Sequence, residues 1–263
     1  MRKIKVGYLQ FNPKFGQVRA NVRFVIEKLS NLNVDLIVLP ELFNTGYNFI
    51  NKYEVKKLSE PVPGGYTSSE ITKIAERKKM YIVGGISEIE NNKLYNSAFL
   101  IGPEGYIGKY RKIQLFNREK IFFKTGNLGL NVFNTKIGKI GILICFDWIF
   151  PETMRTLALK GAQIITHPTN LVLPFYQKAA MTRAVENRVF IILANRFGKE
   201  NRGGIEFRYT GKSEIVAPNG EILISSPQNK VDLKIAQIHP ELADNKNVNE
   251  FNNLFSDRKT RYY

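Results

Sequence analysis

The sequence predicts an α/β protein in which two mixed β-sheets pack face to face with helices on the outside. Three observations carry that expectation. Short apolar runs rich in Val and Ile alternate with stretches of helical period along the 263 residues, the pattern of layered α/β folds. Several of these runs are too apolar to face water on either side, so both faces need cover. The theme occurs twice, and no linker, charge run or low-complexity tract divides the halves, so residues 1–263 read as one domain.

Lys5 to Gln10 reads as the first strand, and Val18, Val22, Val25, Ile26 and Leu29 mark an amphipathic helix. Leu36 to Leu39 is a short buried strand. Thr67-Ser68-Ser69-Glu70 has the form of a capping box opening a helix, with Ile71, Ile74 and Ala75 facing inward. Tyr81 to Ile86 is the next strand. Tyr95 to Tyr106 and beyond form a hairpin turned at Pro103-Glu104-Gly105. The second half opens on the run Ile140 to Cys145. A helix follows, with Pro151 at its first position, Met154, Leu157 and Ala158 on one stripe, and Gly161 as its stop. Then come a strand from Ala162 to Thr166, a helix from about Phe175 to Asn187 and a strand from Val189 to Ala194. A hairpin from Ser213 to Ser225 turns at Pro218-Asn219-Gly220, and Leu233 to Ile238 is the last strand. Gly64-Gly65 and Gly203-Gly204 read as loop turns.

Three residues in this layout invite a chemical reading. Cys145 is the only cysteine and falls at the end of a buried strand, where ligands sit in open α/β layers. A helix N-terminus close behind it would favour the thiolate; as a bare residue, a buried free cysteine is equally a small hydrophobe. Glu41 ends the run Val34 to Pro40, a costly place for a carboxylate unless it is paired or has a chemical role. Lys112 lies in Gly108-Lys109-Tyr110-Arg111-Lys112-Ile113-Gln114-Leu115-Phe116, just past the first hairpin, where a solvated basic loop is the plain alternative.

Together, Leu39-Pro40-Glu41-Leu42, Tyr110-Arg111-Lys112 with Leu115, and Cys145-Phe146-Asp147-Trp148 with Phe150-Pro151-Glu152 resemble the three signatures of the nitrilase superfamily of carbon–nitrogen hydrolases, in the same order. The likeness runs from Val6 to Lys259. It is nearest to the archaeal-type nitrilase or amidase branch, through Phe43-Asn44-Thr45-Gly46-Tyr47 and His167-Pro168-Thr169-Asn170. The resemblance implies a four-layer α-β-β-α sandwich of two mixed sheets. It also implies a triad: Cys145 as nucleophile, Glu41 as proton acceptor, and Lys112 stabilising developing charge and keeping Glu41 ionised. Glu119 stands where the superfamily uses a further glutamate; otherwise it is a surface acid paired with Arg118 or Lys120. By the same likeness Tyr47, Phe116, Phe146, Trp148 and Asn170 line the substrate pocket, and the backbone N–H of Phe146 is a second oxyanion donor. Subunits of the superfamily associate through helices beside the cysteine strand. That implies a homodimer or higher homo-oligomer using Pro151 to Lys160, Pro174 to Asn187 and Phe251 to Tyr263, with about 245–263 as a partner-contacting arm.

The implied activity is thiol-dependent cleavage of a small amide with release of ammonia. The alternatives are conversion of small aliphatic nitriles to acids and, from another class, a catalytically inactive basic binding protein. With His167, His239 and Cys145 as the only His and Cys residues, no Cys/His zinc set can be assembled, and no cofactor is expected. A Cys145–His167 pair is formally open, but no third orienting group accompanies it. Neither a G-x-x-x-x-G-K-[ST] loop nor G-x-G-x-x-G is present. The net charge of +16 is scattered rather than gathered into a basic module, so no specific nucleic-acid partner is expected. No stretch is apolar enough for a membrane span, and Met1-Arg2-Lys3 leads straight into strand residues. With one unpaired cysteine, a cytoplasmic setting is the expectation.

Overall fold

A computed structural model describes residues 2–262; Met1 and Tyr263, the ends of the basic start and of the C-terminal tract, lie outside the described residues. The first half of the chain comprises β1 (Ile4–Gln10), α1 (Val18–Ser30), β2 (Leu36–Val38), α2 (Lys52–Leu58), α3 (Tyr66–Lys78), β3 (Tyr81–Glu90), β4 (Lys93–Gly102) and β5 (Gly105–Arg111). The helical turn α4 (Glu119–Phe122) and the strands β6 (Val132–Thr135) and β7 (Gly138–Ile142) come next, then a 3₁₀ turn at Cys145–Ile149 and helix α5 (Pro151–Leu159). The chain continues with β8 (Ile164–Thr169), α6 (Tyr176–Asn187), β9 (Phe190–Asn195), β10 (Phe197–Arg202), β11 (Ile205–Thr210), β12 (Glu214–Val216), β13 (Ile222–Ser225) and β14 (Asp232–Ile238).

The strands form two six-stranded sheets ordered β14-β1-β2-β3-β4-β5 and β13-β12-β9-β8-β7-β6. Each has a parallel centre, β1-β2-β3 in one and β7-β8-β9 in the other, flanked by antiparallel strands. Both sheets are therefore mixed. The period of two along a strand sorts the core. Val6, Tyr8, Leu36 and Val38 face the second sheet and share a cluster with Ile142, Ile165 and Ile192, which reaches Leu157 of α5 and Ala180 of α6. Leu9, Ile37, Leu39 and Ile82 point the other way, onto Val22 and Val25 of α1 and Ile71 and Ile74 of α3. The layers are thus helix, sheet, sheet, helix.

The structure departs from the sequence reading in a few places. The capping box at Thr67 does not form. The helix starts at Tyr66, and the Glu60 carboxylate, from outside it, takes both the Thr67 N–H at 2.6 Å and the Thr67 hydroxyl at 2.6 Å. A side chain remote in sequence has replaced the local cap. The strand before Cys145 stops at Ile142, Cys145 opens a 3₁₀ turn, and α5 begins only at Pro151, six residues on from the thiol. The Gly203-Gly204 turn belongs to an unforeseen hairpin, β10–β11, which forms a separate two-stranded sheet. Strand β11, Ile205-Glu206-Phe207-Arg208-Tyr209-Thr210, does alternate apolar and polar residues, but β10 has Phe197 as its sole large apolar residue, so only one of the two strands carried the pattern. The cations Lys109 and Arg111 lie in strand β5, and Arg111 is buried. No helix among the described residues is long and apolar enough to cross a membrane.

Candidate active site

The three signature segments meet at the carboxyl ends of the parallel strands. After β2 the chain stays against β3: the Leu39 N–H donates to Val83 O and the Phe43 N–H to Gly85 O. Gly85 is required there, because a Cβ on it would stand 2.4 Å from Glu41 Cα. Lys112 follows the last residue of β5 and is pinned by its N–H to Asn96 O at 2.8 Å. Cys145 opens the 3₁₀ turn after β7. Each segment carries or is followed at once by a non-glycine residue in left-handed backbone: Leu42 (φ 49°), Asn117 (φ 50°) and Cys145 itself (φ 41°). Such conformations are costly and gather where the surrounding structure enforces them.

The side chains converge on Lys112. Its Nζ, fully buried, donates to Glu41 Oε1 at 2.7 Å and Glu119 Oε1 at 2.8 Å. Burial alone would lower the lysine pKa, but Glu119 and Glu41 more than reverse that, so the ammonium is held charged well above its ordinary range. Glu41 Oε1 also accepts from Asn96 Nδ2 at 2.7 Å, while Glu41 Oε2 is buried without a partner. Glu119 Oε1 accepts from the Tyr47 hydroxyl at 2.7 Å and Oε2 from the Phe116 N–H at 3.2 Å. Burial raises the Glu119 pKa, with Lys112 opposing. Glu119 is therefore no surface acid.

Cys145 is buried beside this cluster. Burial pushes its thiol up, Glu41 adds to the rise, and Lys112 opposes it, as does the Asn170 backbone N–H. The resting group is thus a thiol, contrary to the thiolate expected from a nearby helix end. His167 is neutral, its pKa lowered to about 3 by burial. Its Nε2 must carry the proton it donates to Cys145 O at 3.1 Å, and Nδ1 accepts from the Tyr176 hydroxyl at 2.6 Å. It holds the backbone of Cys145, not the sulfur, so no Cys–His dyad exists. Asp147 anchors the same turn, accepting from the Ile144 N–H at 2.9 Å, the Tyr110 hydroxyl at 2.8 Å and the Gln114 N–H at 3.0 Å; burial raises its pKa to about 6.

A cleft of about 20 Å³ opens on Cys145, lined by Phe116, Phe146, Trp148, Asn170 and the segment Leu171–Leu173. That volume holds one water-sized group. Asn170 also reaches across the sheets, its Nδ2 donating to Glu41 O at 2.9 Å. Tyr47 lies instead behind Glu119, against Phe207 and Tyr209. Asn96 was missed as a site residue by the sequence reading, which weighed His167 only as a partner of the Cys145 thiol and gave Asp147 no role of its own. Asn96 left a faint signal, being polar, with Ser97, in the otherwise apolar run Tyr95 to Ile101. Among the described residues no group of three or more His, Cys, Asp or Glu side chains is placed to hold a metal.

The carbon–nitrogen hydrolase family model matches residues 5–246. A nitrilase of Pyrococcus abyssi is 44% identical over 99% of both chains. The chain is a carbon–nitrogen hydrolase of the nitrilase superfamily. The hydrolase is also 31% identical to the N-carbamoylputrescine amidase of Solanum lycopersicum, over 77% of this chain and 74% of that one. Among solved structures it is similar to Saccharomyces cerevisiae Nit3, a member of branch 10 of the nitrilase superfamily, with a TM-score of 0.81, 27% identity and 92% of each chain covered. The buried Cys145 near Glu41 and Lys112 is the Glu-Lys-Cys arrangement anticipated from the sequence.

Proposed function

We propose that the hydrolase cleaves the carbon–nitrogen bond of a small amide through a thioester on Cys145. The observation that carries this is Glu41: one carboxylate oxygen is held by Lys112 and Asn96, the other is bare and buried beside a thiol that burial keeps protonated. Glu41 takes the thiol proton as sulfur attacks the carbonyl carbon. Lys112 has three N–H donors and spends two on carboxylates. The third meets the oxyanion, with the Phe146 N–H as second donor. Collapse breaks the C–N bond, and the proton on Glu41 leaves with ammonia. Glu41 then deprotonates the water that hydrolyses the thioester to the acid. Glu119 and Tyr47 hold Lys112 in place, and the cleft residues Phe116, Phe146, Trp148 and Asn170 surround the acyl group.

Attack on an amide puts charge on oxygen, which the Lys112 cation stabilises. Attack on a nitrile puts it on nitrogen, which can take the proton that Glu41 drew from the thiol, so the same three groups serve both reactions; the amide reading is supported by a 31% identical relative that is an amidase. Nitrile hydrolysis is the second reading, supported by the 44% identical nitrilase. Intact-protein mass spectrometry during turnover of small amides, N-carbamoyl compounds and nitriles, with ammonia measured in parallel, tests both. An acyl adduct on Cys145 with ammonia from amides supports the first reading, and ammonia from nitriles alone the second. Neither adduct nor ammonia from any compound rejects both.

We infer further that the whole chain acts as one hydrolase domain in a homodimer built on α5, α6 and the tract at about 245–263. Leu159, Phe175, Met181 and Val185 are exposed apolar residues on those helices or at their ends, and Phe251 in the tract is 83% exposed. A monomer by light scattering at micromolar concentration would reject the association. An unpaired cysteine nucleophile suits a reducing compartment such as the cytoplasm.

A further inference from the structure

The loop carrying Tyr47 is clipped to the β10–β11 hairpin, and the clip is one buried carboxylate. Glu200, in the middle of β10, is 7% exposed. Its Oε2 accepts from the Asn48 N–H at 2.7 Å, the Tyr47 N–H at 3.2 Å and the Tyr209 hydroxyl at 3.1 Å. Its Oε1 accepts from Arg196 Nη1 at 2.8 Å. Arg196 is fully buried, with its guanidinium 4.0 Å from the Tyr209 ring centre and its Nη2 on Asn12 Oδ1 and Pro13 O. Gly46, at φ 80°, lets the loop wrap this closely, since a Cβ there would lie 2.7 Å from Glu200 Oε1. Asn48 adds a further tie, its Nδ2 to Ile205 O at 2.8 Å.

We propose that Glu200 is a positioning residue for the hydrolytic site, acting through Tyr47. Its carboxylate gathers the successive N–H groups of Tyr47 and Asn48 and so fixes the Tyr47 backbone, while Phe207 and Tyr209 of the same hairpin pack edge-on against the Tyr47 ring. With backbone and ring both fixed, the phenol meets Glu119 Oε1, the oxygen that also accepts from Lys112. The hairpin, outside both main sheets, thereby sets where the Lys112 ammonium stands between Glu41 and Glu119. A carboxylate is needed because a neutral acceptor would leave the Arg196 guanidinium buried without its counter-charge. The inference rests on the proposed roles of Cys145, Glu41, Lys112 and Glu119.

The test is the rate at which iodoacetamide alkylates Cys145, the sole thiol, in folded parent protein and in Glu200→Gln, Tyr47→Phe, the double variant and Glu41→Gln. Glu200→Gln should slow labelling about ten- to a hundredfold, the scale of a small misplacement of catalytic groups. In the Tyr47→Phe background it should change the rate by less than about threefold, because the route it acts through is already cut. Labelling of Glu200→Gln at the parent rate, or effects that multiply in the double variant, would overturn the proposal; a lower melting temperature alone would not rescue it. If Glu200→Gln does not fold, Glu200→Asp keeps the charge on Arg196 but draws it back from the two N–H groups, and is judged by the same criteria. Glu41→Gln separates the two layers of the argument: parent-rate labelling there defeats Glu41 as proton acceptor, whereas slow labelling there with parent-rate Glu200→Gln defeats Glu200 alone.

Discussion

Replacing Lys112 by Met removes the one cation between two buried carboxylates. Glu41 Oε1 and Glu119 Oε1 bond the same nitrogen, so they stand no more than two hydrogen-bond lengths apart. Two like unit charges about 5 Å apart, at an effective dielectric near 20, repel by about 3 kcal/mol, or roughly two pKa units. Burial and repulsion together hold the Glu119 carboxyl further above its ordinary range than in the parent. The sign follows from the raised folded value. The variant's stability is complete below the ordinary glutamate range near pH 4.5 and falls as pH rises through the raised pKa. Catalysis loses the oxyanion donor, so kcat should drop by at least about 10²–10³-fold. Urea unfolding from pH 4.5 to 8 together with ammonia-release kinetics measures both. A rate within about tenfold of the parent, with stability independent of pH relative to the parent, would refute this account of Lys112.

Cys145→Ala trims one buried atom, so it should abolish turnover while the melting temperature stays within a few degrees; retained function would instead favour the inactive binding protein. Gly85→Ala drives a methyl to 2.4 Å from Glu41 Cα. It should cost about 1–3 kcal/mol of stability and most of the activity, and unchanged kcat would show that Glu41 can yield. Glu214 in β12 is buried with Oε1 unpartnered, and burial alone pushes its carboxyl up to about 8 from 4.5. Its folded pKa is raised, so the parent loses stability as pH climbs from about 4.5 to 8. Glu214→Gln should abolish that loss and gain on the order of 2–4 kcal/mol at pH 8. Equal urea midpoints for the two proteins at pH 8 would contradict it.

The layered fold was legible because its cause is local. Runs such as Val34 to Leu39 and Ile140 to Ile144 are too apolar for water, and a strand's period of two fixes which residues face which layer. Glu41 and Cys145 were legible for a related reason, as costly or reactive groups at the ends of such runs, whereas Lys112 was legible only through the resemblance of its segment to the second of three ordered signatures. The tertiary structure decided what depends on distant partners. Thr67 lost its capping role to Glu60, Glu119 was drawn inside by Lys112, and burial kept Cys145 a thiol where local geometry had argued for a thiolate. His167 became the support of the Cys145 carbonyl because Tyr176 took its other nitrogen. The role of Glu200 left no signal along the chain, since its partners Tyr47 and Asn48 lie some 150 residues earlier. Pattern along the chain records which residues must be buried. Which charges meet once buried is set only when the sheets close on each other.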